Sequence, residues 1–489
     1  MSDKILKTLG WFYITVGLIC NPWLLGRMLS PDGRTGETHS KVLILSFEIL
    51  LIIIGLLNLK KDKTELAINL NLLLWTTVLL TPLFAEVLLR AGIAFNIKQF
   101  KSPYLYADFF SDNDYWKFQY DWGEKFAETS PERIHPRLGW SQTYITEENP
   151  LGLEEETRKR MGSSNSKILF YGDSFVKGSS DKEFQIPRYM NNHIKGTDVV
   201  DLGVAGYGTD QIYLLFKETY QTFTHPIILV GILADDDLDR TVLSVRTSQK
   251  PYFVLDPTGN LQLKGIPIEK NQKTYFRNYH LSIKSYFYAL LKQKFFQGDH
   301  KADLKKRINA KLLELFKANA AQTKSRLVFV IFYGKPSLTK TIWQEDFLKG
   351  KLNRLGVPYI DTKAILLRYA KENQIELSSF YKVHDGHHNN LGNRVIAEDI
   401  IEYLKRIDDL TPPGISSQNI VRCGAWIGSK RWCRTRKLFM SFILEITRQA
   451  MSRQRRSELL SSASDIQPWG FSRRTVAGTR QILRTASAL

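Results

Sequence analysis

The chain has 489 residues, of which 43% are hydrophobic and 24% charged, an ordinary composition for a folded protein that can bury at least one large core. The formal net charge is +19, but residues 411–489 carry +11 of it, with 12 Arg and 2 Lys against 3 acidic residues. Because that basic excess belongs largely to a terminal segment of a chain expected to be exported, it is not evidence for binding nucleic acid.

The first ninety residues are far more apolar than the rest, and they predict a transmembrane anchor of three helices over residues 1–90. Each helix is close to the roughly 20 residues that a helix needs to cross a bilayer: Leu9–Gly26, Val42–Leu59 and Leu66–Leu89. Polar residues lie inside all three, so helix packing or an interfacial position must accommodate them: Asn21 with Pro22, Glu48, and Asn69 with Asn71.

Basic residues predict the orientation of this anchor. Lys4 and Lys7 precede the first helix, and Lys60, Lys61 and Lys63 join the second to the third, so the positive-inside rule places both groups in the cytoplasm. An odd number of spans then exports everything after about residue 90. We therefore expect a multi-pass protein of the inner (plasma) membrane, with the lipid bilayer as a partner and a large domain facing the periplasm or the cell exterior.

The remaining chain divides into a connector and an α/β domain. Residues 91–165 are aromatic and mixed, and they predict a connector that packs on the membrane side of the next domain. Over residues 166–410, strands and helices alternate, which predicts a doubly wound parallel sheet. The strands are Ile168–Tyr171, Asp198–Leu202, Pro226–Leu233, Leu327–Tyr333 and Val357–Asp361, and the final helix is Leu391–Ile407. An insert at about 240–325 begins with a predicted hairpin over Tyr252–Leu263.

Ser174 is a candidate nucleophile. It follows the first strand at a sharp Gly172-Asp-Ser turn, and the carboxyl ends of parallel strands are where open α/β sheets bind ligands. Taken alone, the stretch also fits a strand-to-helix turn in which Ser174 caps the following helix. The turn alone does not identify a nucleophile, because a serine also needs a general base beside it.

A polar loop before the last helix contains a candidate base. Asp385 stands two residues before His387, where a carboxylate can hold an imidazole in one tautomer while the other nitrogen takes a proton from a serine. His384 and His388 lie in the same loop, so solvated histidines and a metal site are both alternatives. No further ligand set completes a recognisable metal site, and neither a metal nor another cofactor is expected.

Together these residues resemble the GDSL-like SGNH hydrolase superfamily over about Lys167–Leu404. The resemblance rests on the order and spacing of three blocks: Gly172-Asp-Ser174, Asp201 to Gly208, and Asp385-Gly-His387. It implies the SGNH-type, flavodoxin-like sheet, with Ser174 as nucleophile, His387 as general base and Asp385 as its orienting partner. It also implies that Gly206 donates a backbone hydrogen bond to the oxyanion. Family members with Asp-x-x-His leave His388 open as the base.

One block departs from the family pattern. After the third strand the family usually has Gly-x-Asn-Asp, whose Asn side chain donates to the oxyanion, whereas this chain has Gly231-Ile-Leu-Ala-Asp235-Asp236-Asp237. A carboxylate donates only when protonated, so this donor is missing or comes from elsewhere. Asp235 and Asp236 are expected instead to bind substrate, and pairing of the acidic triplet with Arg240 is the alternative.

The resemblance and the predicted location imply a membrane-anchored serine esterase or O-acyltransferase. It would act through an acyl-serine on ester groups of cell-envelope carbohydrate or lipid-linked sugar. A non-catalytic envelope binding or scaffolding protein on the same fold is the alternative, since one oxyanion donor is missing. We expect the tail of residues 411–489 to be disordered, with contact to anionic lipid and a non-native reading frame as open alternatives.

Overall fold

The fold was obtained as a computed structural model that describes residues 3–29, 38–60, 65–123, 129–224, 226–295, 299 and 301–409. The described residues belong to one compact unit. The predicted disordered tail therefore lies outside the described residues. Lys61 and Lys63 of the predicted cytoplasmic cluster also lie outside them.

Fifteen α-helices and nine strands are assigned within the described residues, besides short 3₁₀ turns. The helices are α1 (Asp3–Ile19), α2 (Pro22–Leu29), α3 (Thr38–Leu59), α4 (Glu65–Ala94), α5 (Asn113–Trp122), α6 (Glu155–Met161), α7 (Ser174–Lys177), α8 (Ile186–His193), α9 (Thr209–Thr219), α10 (Gln272–Asn278), α11 (Tyr286–Phe295), α12 (Ala302–Gln322), α13 (Trp343–Leu355), α14 (Thr362–Asn373) and α15 (Asn390–Asp409). The strands are β1 (Ile134–His135), β2 (Gly139–Trp140), β3 (Ser166–Gly172), β4 (Thr197–Gly203), β5 (Ile227–Leu233), β6 (Tyr252–Leu255), β7 (Leu261–Lys264), β8 (Arg326–Phe332) and β9 (Tyr359–Asp361).

Among the described residues, two helices rather than three are long and apolar enough to cross a membrane: Lys41–Leu59 and Ile68–Ala94. The prediction of a first span over Leu9–Gly26 is wrong, because the helix is interrupted there: α1 ends at Ile19 and α2 begins at Pro22. Pro22 has no N–H to donate and disfavours a helical conformation at the residue before it. The Asn21 side chain accepts a hydrogen bond from the Leu24 N–H at 2.8 Å, so Asn21 caps a new helix instead of continuing the first.

Close packing joins the N-terminal helices. A Cβ added at Gly10 of α1 would lie 2.9 Å from the Gly55 carbonyl oxygen of α3, so only glycines allow the two backbones to approach this closely. Between α3 and α4, the buried amides of Asn58 and Asn71 donate to each other at 3.1 and 2.7 Å. Helix packing thus accommodates Asn71, one of the polar residues inside the predicted spans.

Five parallel strands form the central sheet in the order β4-β3-β5-β8-β9. This is the flavodoxin-like order that the family resemblance implies, with the strand order reversing at β3. Leu169, Phe170, Val230 and Val328 are fully buried although neighbouring residues point to opposite faces, because the sheet is covered on both sides. Ser174 follows β3, so it stands at the point of reversal, where such sheets leave a crevice.

The insert opens with the predicted hairpin, in which β6 and β7 are antiparallel and Phe253 faces Leu263. Its helix α11 contacts the end of α4. There the Glu86 carboxylate accepts hydrogen bonds from the Ser285 hydroxyl at 2.9 Å and from the Phe287 N–H at 2.8 Å. The second membrane-length helix is therefore hydrogen-bonded directly to the insert.

Candidate active site

Ser174 is held at the carboxyl end of β3 by a tight turn into α7. The Asp173 side chain accepts a hydrogen bond from the Phe175 N–H at 2.8 Å and so caps that turn. A Cβ added at Gly172 would lie 2.3 Å from the Val176 side chain, so glycine is needed for α7 to fold back over the strand ends. The serine is 7% exposed and begins the helix, where its N–H has no intrahelical partner.

His387 faces this serine across the crevice. Its Nε2 lies 2.8 Å from the Ser174 Oγ, although the two residues are 213 positions apart. Its Nδ1 lies 3.0 Å from the Asp385 carbonyl oxygen and 3.5 Å from the Asp385 carboxylate. Both partners of Nδ1 are acceptors, so Nδ1 carries the proton, and Nε2, which faces the Ser174 hydroxyl, is the nitrogen that can accept the serine proton.

Asp385 orients His387 through the backbone as well as the side chain. Its Oδ1 accepts the His387 N–H at 2.9 Å. Burial alone would raise the pKa of the Asp385 carboxyl, but hydrogen bonds from the His387 ring and N–H outweigh it and lower that pKa to about 2. The carboxylate is 37% exposed, and its contact with the ring is longer than that of its own carbonyl oxygen.

His388 points away from the serine and into the core. Its ring packs against Phe175 and Tyr381 at centroid distances of 5.0 and 4.9 Å. Neither ring nitrogen has a hydrogen-bond partner among the described residues. Burial, and secondarily the charge of His387, lowers the pKa of His388 to about 3, so its ring is neutral near pH 7. Of the two histidines that the sequence leaves open, His387 is therefore the one beside Ser174, and His384 is exposed.

Gly206 lies in the loop after β4, beside the serine turn. The two loops are joined because the Val204 N–H donates to the Gly172 carbonyl oxygen at 3.0 Å. Gly206 has φ +83°, a left-handed conformation that favours glycine, and its own N–H has no partner among the described residues. That N–H is available to a ligand.

The connector supports this loop from the outside. The Trp140 indole N–H donates to the Ala205 carbonyl oxygen at 2.9 Å, and the Tyr207 hydroxyl donates to the Trp140 carbonyl oxygen. The Gln142 amide donates to the Gly203 carbonyl oxygen at 2.8 Å. Residues from the predicted connector thus hold the loop that carries Gly206.

Asp235, a predicted substrate ligand, has both carboxylate oxygens occupied by the fold. The Gly334 N–H donates to Oδ1 at 3.0 Å, and the Ser337 hydroxyl donates to Oδ2 at 2.7 Å. Burial raises the pKa of this carboxyl, and the two hydrogen bonds oppose that rise. Asp235 therefore joins the loop after β5 to the loop after β8.

Asp236, the other predicted substrate ligand, belongs to a buried ion cluster around Arg240, which we call the charge cluster: Asp173, Asp236, Asp237 and Arg240. The Arg240 guanidinium contacts Asp173 at 3.4 Å and Asp237 at 2.8 Å, and it also donates to Asp236. It donates in addition to the Tyr207 carbonyl oxygen at 2.6 Å. The cluster therefore ties together the loops after β3, β4 and β5, and the pairing with Arg240 that the sequence left open is present.

The protonation of the charge cluster reflects its burial. Burial, and then the neighbouring Asp173, raises the pKa of Asp237 well above its usual range, against the attraction of Arg240. Burial by itself would lower the pKa of Arg240, but the attraction of the three carboxylates is larger than this effect and raises that pKa. Asp236 Oδ1 is buried and has no hydrogen-bond partner among the described residues.

Arg246 was not anticipated from the sequence, although it lies against Gly206. Its Nη1 donates to the Gly206 carbonyl oxygen at 3.0 Å, its Nη2 lies 3.9 Å from Asp236, and its guanidinium stacks over Trp116 at 5.6 Å. Burial, and then the charge of Arg240, lowers the pKa of Arg246 to about 10, so it remains protonated at neutral pH. No local motif marks this arginine, because it is brought to the site by the loop that leads into the insert.

A separate cavity of about 690 Å³ lies in the insert. Its lining includes Gln249, Glu269, Tyr275 and His280, and no predicted site residue. Among the described residues, no group of three or more His, Cys, Asp or Glu side chains is placed to hold a metal ion. The chemistry that the site itself offers is that of Ser174, His387 and the donors around Gly206.

No family model matches the chain, and no curated protein matches it. Solved structures that resemble it include a lipolytic protein of the G-D-S-L family from Veillonella parvula, with 12% identity, 49% of this chain and 99% of that chain covered, and a TM-score of 0.30. A two-domain esterase active on acetylated mannans has 11% identity, 54% and 55% coverage, and a TM-score of 0.31. The lipase/acylhydrolase from Enterococcus faecalis has 12% identity, 50% and 96% coverage, and a TM-score of 0.30. At these values the likeness carries no functional conclusion, and the functional case rests on the side-chain geometry.

Proposed function

We propose that this chain is a membrane-anchored serine esterase or O-acyltransferase of the SGNH type. Its substrates would be ester groups of cell-envelope carbohydrate or lipid-linked sugar. The observation that carries the proposal is the 2.8 Å contact between the Ser174 Oγ and the His387 Nε2, at the carboxyl end of a central parallel strand. A serine is a weak nucleophile until an adjacent base takes its proton, and this contact is the one such activation requires.

The first half-reaction forms the acyl-enzyme. Ser174 Oγ attacks the ester carbonyl as His387 Nε2 takes its proton, and the carbonyl oxygen becomes an oxyanion. The Ser174 and Gly206 N–H groups would donate to that oxyanion. Asp385 keeps the imidazole oriented and stabilises its positive charge. When the intermediate collapses, the leaving alkoxide takes the proton from His387 and the acyl group stays on Ser174.

The second half-reaction decides between hydrolase and transferase. Either water or an acceptor hydroxyl gives its proton to His387 and attacks the acyl-serine carbonyl. The intermediate then releases Ser174, which regains a proton from His387. The two activities differ in which nucleophile reaches the acyl-enzyme, so the same residues serve both.

The proposed location rests on two membrane-length helices and the basic loop between them. Lys60, Lys61 and Lys63 lie between α3 and α4, and the positive-inside rule would place that loop in the cytoplasm. With α3 and α4 as a hairpin, the α/β domain after α4 would still face the periplasm or the exterior. With two spans instead of three, the N-terminus is expected on the other side of the membrane, whereas the side of the membrane expected for the Ser174 site is unchanged. A tethered, exported site suits envelope esters.

Labelling with a serine-directed fluorophosphonate tests the proposal on the full chain extracted from membranes. We expect labelling of the wild type and none in Ser174→Ala or His387→Ala. His384→Ala is the matched control, because His384 lies in the same loop but is exposed and outside the contact. Turnover of an activated ester should follow the same pattern.

Failure of folded wild-type protein to label or to turn over any activated ester would reject the esterase proposal. The missing Asn would then favour the alternative, a non-catalytic envelope binding or scaffolding protein. Labelling that survives in Ser174→Ala would place the reactive serine elsewhere and would equally contradict the proposed site.

A further inference from the structure

The predicted oxyanion site has two donors, the Ser174 and Gly206 N–H groups, which is one fewer than the resemblance to SGNH hydrolases implies. The Asn that SGNH hydrolases usually supply after the third strand is absent, and Asp235 occupies that block. Both Asp235 carboxylate oxygens accept hydrogen bonds, from the Gly334 N–H and the Ser337 hydroxyl, so this side chain is engaged as an acceptor. A further donor must come from another part of the chain if the oxyanion is to be fully stabilised.

Arg246 occupies the space beside the remaining oxyanion glycine. A Cβ added at Gly206 would lie 2.7 Å from the Arg246 Nη1, so the guanidinium fills the position that a side chain at 206 would take. The same nitrogen donates to the Gly206 carbonyl oxygen at 3.0 Å. The positive charge is thus placed directly against the residue whose N–H would bind the oxyanion.

The Arg246 guanidinium is fixed in place by its neighbours, yet most of its N–H groups make no hydrogen bond to the described residues. It stacks over Trp116 and lies 3.9 Å from Asp236, and its side chain is only 15% exposed. Within the described part of the chain, the bond to Gly206 is the one hydrogen bond that this guanidinium donates. An arginine has five N–H donors, so most of them are available to a ligand.

Arg240 provides an internal comparison. Its guanidinium contacts three carboxylates and the Tyr207 carbonyl oxygen, so its charge is compensated within the charge cluster. Within the described part of the chain, Arg246 has one carboxylate within 4 Å, that of Asp236 at 3.9 Å. Of these two arginines, Arg246 is the one with charge and donors to offer to a substrate.

We infer that Arg246 is a catalytic residue that donates a hydrogen bond to the oxyanion in place of the missing Asn. The inference rests on the proposed acyl-transfer function. In the first step, the Ser174 Oγ–carbon bond forms, the serine proton passes to His387, and the carbonyl π electrons move onto oxygen. That oxygen then accepts hydrogen bonds from the Ser174 N–H, the Gly206 N–H and the guanidinium. The leaving alkoxide departs with the proton from His387, and the carbonyl re-forms.

A neutral activated ester, such as p-nitrophenyl acetate, isolates this role on the full detergent-extracted chain, because the ester has no anionic group for an arginine to bind. We expect Arg246→Gln and Arg246→Ala to lower kcat by about 10²–10³-fold, with KM changed less than threefold. Arg246→Lys should retain more activity than either, and added guanidinium ion should restore part of kcat in Arg246→Ala. Arg368→Gln, at a surface ion pair with Asp399, should match the wild type.

Three results would overturn the inference. They are a kcat within threefold of the wild type in Arg246→Gln, a loss confined to KM, and a loss that neither lysine nor guanidinium restores. The last would identify a role confined to folding of the Gly206 loop. Failure of the proposed function looks different, since the wild type itself would then show no Ser174-dependent turnover.

Discussion

The Ser174–His387 pair and the charge cluster are neighbouring regions that differ in how deeply their charged groups are buried and how those charges are paired. Ser174 and His387 meet through one hydrogen bond, and the carboxylate behind them, Asp385, is 37% exposed. In the charge cluster, Asp173 and Asp237 are fully buried and the Arg240 side chain is 5% exposed. Buried charges are tolerated only when they are paired, so the cluster holds the loops in place, whereas the Ser174–His387 hydrogen bond is placed to move a proton.

Asp173 links the two regions. Its carboxylate caps the serine turn, lies 3.3 Å from the Ser174 hydroxyl and contacts Arg240 at 3.4 Å. The position of the nucleophile therefore depends on a charge cluster that takes no part in the proposed chemistry. Substitutions should separate the two regions, with stability most sensitive in the cluster and rate most sensitive at the nucleophile.

The largest effect on stability is expected at Arg240. Arg240→Met keeps much of the side-chain volume but leaves Asp173 and Asp237 buried without a cation, which typically costs about 3–5 kcal/mol. The free energy of unfolding from denaturant titration measures the loss. The loss should shrink as pH falls, because burial raises the pKa of Asp237 and protonation removes its stranded negative charge.

Arg368→Met is the control for this prediction. Its partner Asp399 forms a surface ion pair with a 57% exposed arginine, so the change should cost at most about 1 kcal/mol. Equal losses in the two variants would contradict the idea that the charge cluster organises the site. A large loss of kcat without loss of stability in Arg240→Met would contradict it as well.

His388 should make the fold acid-sensitive. Its pKa is about 3 in the fold and 6.5 in the unfolded chain, so the unfolded chain binds more protons between these values. The stability gained by keeping the ring neutral is complete above about pH 6.5 and is lost as pH falls through that window. At pH 4 the loss relative to pH 7 would be about 3 kcal/mol for this group.

His388→Leu removes that titration and keeps an apolar side chain in the core. The difference in unfolding free energy between pH 7 and pH 4 should be smaller in this variant than in the wild type. His384→Leu, at the exposed histidine of the same loop, should follow the wild type. Identical pH dependence in His388→Leu and the wild type would mean that His388 is not buried as a neutral ring.

A smaller effect on stability is expected at Gly206, where a matched glycine is available. Both Gly206→Ala and Gly196→Ala place an alanine at positive φ, which costs on the order of 1–3 kcal/mol. Only at Gly206 would the new Cβ also meet Arg246 Nη1, since Gly196 has no atom within 4 Å. We expect the two variants to lose comparable stability, and we expect kcat to fall more than tenfold in Gly206→Ala alone. Equal kcat values in the two variants would contradict the importance of this contact.

Several features of the fold could be predicted because they depend on local patterns. The apolar run Ile168–Tyr171 is a strand buried on both faces, and the final helix predicted at Leu391–Ile407 is present as Asn390–Asp409. The first predicted span shows the limit of such reasoning. Its composition suits a membrane, yet Asn21 and Pro22 end the helix, because a missing N–H and a side-chain cap outweigh the apolar residues on either side.

By itself, the sequence determined the alternating α/β pattern, the serine turn at Ser174 and the Asp385–His387 loop, because each depends on residues close together in the chain. Only the tertiary structure decided that His387 rather than His388 meets Ser174, since a one-residue difference directs one ring to the crevice and the other to the core. It also decided the place of Arg246 against Gly206. Contacts between distant segments depend on how the loops after β3, β4 and β5 pack, and no local pattern carries that information.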